Sequence, residues 1–175
     1  MKDREPIHST DTITGWLSHY DCLKRWQDRA EKAAVGGTDD ILSLMDGVDF
    51  ALAFFIWAHS LREWLINDKA INQDKLDSIL RKHDTWSMCR DLANRSRHFD
   101  LKHRPRDKNW SLQFSFEPLP EQMPGIQKYR WIIFYDGECF GVFQLIRDIR
   151  VMWDEVLAET GLADTIKHRL GTFSP

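Results

Sequence analysis

Between Met88 and Lys108 the chain reads MCRDLANRSRHFDLKHRPRDK, a stretch in which Arg, Asp, Asn and His recur at spacings that bring them side by side on a helix. At 100° per residue, Arg90, Asp91, Asn94 and His98 fall within a sector of about 100°, while Met88, Cys89, Leu92, Ala93, Ser96 and Phe99 take the opposite side. Imidazole and guanidinium together suit work at a phosphate. His exchanges a proton near neutral pH, and Arg steadies charge developing on the phosphoryl oxygens. His98, Arg90 and Asn94 are therefore the candidate catalytic residues. Asp91 either orients His98 or, more simply, pairs with Arg95 four residues on.

The same helix runs into a basic tail. From Arg90 to Lys108, seven Arg or Lys stand against three Asp, a local charge of +4 in a chain whose formal charge is −3. A basic patch on an acidic protein points to a polyanion more sharply than a basic protein does, because repulsion elsewhere discourages indiscriminate binding. Arg95, Arg97, Lys102, His103 and Arg104 are the candidate nucleic-acid contacts. The plain alternative is a solvated helix end and loop.

Further polar candidates lie upstream. His59 and Glu63 are spaced i, i+4 with Arg62 beside them, which suits a structural His–Glu hydrogen bond better than a metal site, since a metal needs a third ligand and only His98 offers one. We expect no metal and no cofactor. Trp110, Phe114, Phe116, Trp131 and Phe134 have the means to stack on bases, but their alternation reads first as core packing. The chain has no phosphate-cradling glycine loop, nucleophile elbow or helix-turn-helix pattern.

These residues need a scaffold, and the composition allows one. A chain of 175 residues, 42% hydrophobic and 29% charged, fits a single domain with a real core. Cys22, Cys89 and Cys139 are odd in number and far apart, which argues for a reducing compartment and against a disulfide framework. The N-terminal MKDREPIHSTD is too polar for a secretory signal, and the apolar run Phe50 to Ala58 is too short for a membrane span. The expectation is a cytoplasmic protein.

Periodicity predicts a first helix from about Ser9–Asp11 to Ala34, with Trp16, Tyr20, Leu23 and Ala30 inward, ended by Gly36-Gly37. Thr38-Asp39-Asp40 then caps a long central helix to about Asn67, with Leu44, Val48, Leu52, Phe55 and Ile56 on a helical period. A short third helix spans Gln73 to Lys82 with Asn72 as its cap, and the fourth, capped by Asp84 or Thr85, carries the polar face and ends before Pro105. Alternation from Trp110 to Phe116 predicts a strand, Pro118 to Pro124 with Gly125 a loop, Tyr129 to Tyr135 a second strand, and Asp136-Gly137 a hairpin turn into Glu138–Gly141. A last helix from Val142 to Thr160 is stopped by Gly161. The predicted architecture is mainly α: one domain over 1–175, its core about 9–160, with a small antiparallel β insert, about 109–141, before the last helix.

The segments AHSLREWLIND and LANRSRHFDL, on the second and fourth of these helices, resemble the HEPN superfamily (higher eukaryotes and prokaryotes nucleotide-binding), in particular its uncharacterised bacterial members. The resemblance covers roughly Asp39 to Leu157. It implies a helical bundle, often dimeric. Many such proteins are metal-independent ribonucleases of toxin or phage-defence systems; others bind nucleotides or act as scaffolds. Their nucleases carry an Arg-x(4–6)-His motif with a polar residue after the Arg. Aligning Asn94 and His98 with that motif puts Ala93 at the Arg position; the register Arg97-x5-His103 crosses the expected helix end, and Arg90 lies two turns before His98. This departure weighs on catalysis more than on binding. The resemblance thus implies RNA as the partner and a homodimer as the assembly, with a non-catalytic interaction module as the alternative.

Overall fold

The computed structural model of the protein describes residues 15–35, 41–97, 105–107, 109–116 and 129–166. Five helices, α1 (Gly15–Val35), α2 (Ile41–Asn67), α3 (Gln73–Leu80), α4 (Asp84–Arg97) and α5 (Val142–Glu159), surround a core to which a three-stranded sheet, β1 (Ser111–Phe116), β2 (Tyr129–Tyr135) and β3 (Glu138–Gly141), is joined between α4 and α5. Mainly helical with a small antiparallel insert is therefore the observed class. The expected starts and caps at Ser9–Asp11, Gly36-Gly37 and Thr38-Asp39-Asp40, the loop at Pro118–Gly125, and the inward positions Leu44, Phe114 and Phe116 lie outside the described residues or side chains.

α2 is apolar nearly all round because it is packed on several sides, by α1, α4 and α5. Ala51, Phe54, Phe55, Ala58, Leu61 and Leu65 are buried along it, while Leu52 and Ile56 are only half-buried. α5 places Val142, Leu145, Ile146, Ile149, Met152, Trp153, Val156 and Leu157 inward, every inward position its sequence period marks and Met152 besides. Trp16, Tyr20, Leu23 and Ala30 of α1 complete that core.

The element ends follow local chemistry. Asn72 caps α3 by accepting hydrogen bonds from the backbone of Asp74 at 2.9 Å and Lys75 at 3.3 Å. α2 and α5 close with the same pair of bonds: at Lys69 and Ala70 back to Ile66 and Leu65, and at Gly161 and Leu162 back to Ala158 and Leu157. Both need a left-handed residue, Gly161 at φ 78° and Lys69 at φ 54°. α4 begins at Asp84, which places this carboxylate in the first turn, where it complements the helix dipole.

The sheet order is β1-β2-β3, antiparallel throughout, with Leu112 opposite Ile133 and Ile133 opposite Phe140. Asp136 (φ 52°) and Gly137 (φ 81°) make the tight turn that the sequence indicates. Ile133 and Tyr135 face the core and Phe134 faces outward. The base of the insert is held to this turn: Arg106 Nε donates to Asp136 at 2.7 Å, and the Asp136 backbone donates to Asp107 at 2.8 Å.

Candidate functional site

α4 shows two kinds of polar residue. Asp91 belongs to the core side: it is 1% exposed, where the helical wheel sets it beside Arg90 and Asn94. Burying a carboxylate is costly unless its oxygens are satisfied. They are. One oxygen accepts from Nε and Nη2 of Arg90, each at 3.0 Å; the other accepts from the Arg106 backbone and the Tyr135 hydroxyl, each at 2.7 Å. Burial and the Asp91 carboxylate together push the Tyr135 phenol up, so it stays a donor.

Arg90, aimed by this carboxylate, reaches a cleft of about 450 Å³ between α2, α3 and α4, whose lining includes His59, Arg62, Asp77, Arg81, His83 and Trp86. Arg62 is fixed in the same manner, its Nε and Nη2 donating to the two oxygens of Asp77 at 2.6 and 2.7 Å. These bonds hold the Asp77 carboxyl below the usual carboxylate range.

His59 stands at the back of the cleft. Its ring stacks on Trp86, centroids 5.5 Å apart and 15° between planes, and Trp86 in turn meets Trp153 edge-on at 5.9 Å. Nη2 of Arg97 lies 3.4 Å from His59 Nδ1 and also donates to Asn94 at 3.0 Å. A guanidinium only donates, so Nδ1 is the acceptor and the neutral ring carries its proton on Nε2. Burial, followed by the charges of Arg97, Arg62 and Arg90, pushes His59 down to about 4. The site therefore presents an uncharged imidazole among cations at neutral pH.

Of the residues singled out in the sequence, Arg90, Arg62 and His59 meet at this cleft, Arg97 and Asn94 sit beside it, and Asp91 supports it from behind. Glu63 and Arg95 are exposed. His98, Lys102, His103 and Arg104 lie outside the described residues. Asp77, Arg81, His83 and Trp86 were not singled out; the available signal was the charged run Arg81-Lys82-His83-Asp84 at the corner between α3 and α4. Among the described residues no group of three or more His, Cys, Asp or Glu is placed to hold a metal, and no helix is long and apolar enough to cross a membrane.

No family model, curated protein or solved structure matches this chain.

Proposed function

We propose that this chain is a HEPN-like RNA-binding domain of the cytoplasm, in which the cleft and the basic end of α4 receive phosphates; metal-independent cleavage, with His98 as its proton-transfer group, ranks below binding because Ala93 stands where the motif has Arg. One observation carries the binding half: the guanidinium-bearing side chains of Arg62, Arg81 and Arg90 line one cleft, with Arg97 beside it. Positive charge converging on one recess attracts an anion. Arg90 is directed toward that place by a buried carboxylate, and directed guanidinium forks suit phosphate oxygens.

Fluorescence anisotropy with short single-stranded RNA at low salt tests the reading. Binding is expected, falling steeply as salt rises because phosphate contacts release counterions. Arg90→Gln and Arg97→Gln should each weaken it. His98→Ala should abolish cleavage and leave most of the binding, since one proton-transfer group contributes about 10²- to 10⁴-fold in rate and little to affinity. Protein that neither binds nor cuts RNA at low salt overturns both halves. The non-catalytic interaction module would then stand, a reading favoured by the fully hydrogen-bonded burial of Asp91. The homodimer that the resemblance implies is part of the proposal, and sedimentation showing only a 20.7 kDa species would remove it.

A further inference from the structure

The cleft is rich in guanidinium donors. A guanidinium has five N–H donors. Arg62 and Arg90 each use Nε and Nη2 on the carboxylate behind them, which leaves about three donors apiece on forks already oriented. Arg81 contributes a third guanidinium to the lining. Of the two carboxylates on the same walls, Asp77 has both oxygens occupied by Arg62, and Asp84 is fully exposed to water with Arg106 at 3.7 Å. The ligand that complements such walls brings several acceptor oxygens and negative charge.

Two kinds of phosphate fit that description unequally. A phosphodiester within a chain has two unesterified oxygens and one charge, and it needs an exit for a nucleoside on each side. A phosphomonoester has three such oxygens, nearly two charges at neutral pH, and a single arm. Coulomb attraction to each guanidinium rises with that charge. The arginines also converge, from α2, from the turn after α3 and from α4, on one recess of about 450 Å³ instead of lining a track.

We propose that the cleft binds a phosphomonoester, the terminal phosphate of an RNA or of a nucleotide, with Arg81 and Arg90 as the residues that select it over an internal phosphodiester. This deepens the reading of the cleft as a phosphate site and depends on it. The test uses the full chain and one short RNA in three forms: phosphorylated at the 5′ end, at the 3′ end, or at neither. Inorganic phosphate and adenosine monophosphate serve as competitors.

One phosphorylated form is expected to bind about tenfold tighter than the unphosphorylated RNA, the loss expected from one charge-assisted hydrogen bond. Arg81→Gln should erase the difference, and because Arg81 is exposed the variant should keep its circular dichroism and melting temperature. If the competitors bind in an Arg81-dependent manner but no RNA form does, the source is a free phosphate or nucleotide; the inference stands and the RNA reading falls. Equal affinity for all three RNAs, with no competition, overturns the inference while RNA binding survives.

Discussion

Asp91 and Tyr135, 44 residues apart in sequence, meet through a 2.7 Å hydrogen bond from phenol to carboxylate that fastens α4 to the middle strand of the sheet. The same carboxylate aims Arg90 into the cleft, so the hairpin and the candidate site share one buried atom group. Asp91→Ala should cost about 3 kcal/mol, because it strands the Tyr135 hydroxyl, the Arg106 amide and one face of a guanidinium. Tyr135→Phe, which removes one donor, should cost about 1 kcal/mol. Urea denaturation reads both; equal losses for the two variants would refute the hub.

Acid should weaken the fold through His59. Its folded value is about 4 and its ordinary value 6.5, so between these the unfolded chain binds more protons. Stability is then complete above pH about 6.5 and declines as the pH falls toward 4, by an amount on the order of 2 kcal/mol. Buried His19, also lowered, adds in the same direction. His59→Gln should flatten the dependence without removing it, and an unchanged slope between pH 6.5 and 4 would contradict the assignment.

The Arg62–Asp77 pair should show a coupling of about 1 kcal/mol in a double-mutant cycle of Arg62→Gln and Asp77→Asn, since both side chains are about one-fifth exposed and the contact is bidentate. Because Asp77 is depressed, the coupling is present at neutral pH and disappears on acidification below the ordinary carboxylate range. Lys82 and Glu159, at 2.6 Å but about half exposed, serve as the control expected near zero.

Lys69 holds a left-handed conformation at the end of α2 that glycine adopts without a steric penalty. Lys69→Gly should therefore raise stability, by about 0.5–1 kcal/mol. A thermal melt that moves downward would show that the Lys side chain does more than tolerate the position.

Helices, strands and the turn were legible in the sequence because their signals are local. The 3.6 period of α5, the Asn72 cap and Asp136-Gly137 each declare themselves within a few residues. Asp91 was not legible in this way: the wheel fixes its angle on α4, but only the arrival of Tyr135 turns that angle into the core. The cleft was half legible. Arg90 and Asn94 stand out on one helix, whereas Arg81, Asp77 and the His59–Trp86 stack depend on how three helices converge.

Arg106 and Asp136, separated by 30 positions, are joined just outside the Ser111–Phe134 end of the β1–β2 pair, and the two strands beyond them are paired in register. To the helical bundle this whole excursion counts as a short connection. Extra chain placed between β1 and β2 would fall between Phe116 and Tyr129, which are already paired, and doubling the length of a flexible connection costs only about 0.6 kcal/mol more. Between these two paired strands the protein can grow, or accept a foreign domain, while α4 and α5 stay in contact.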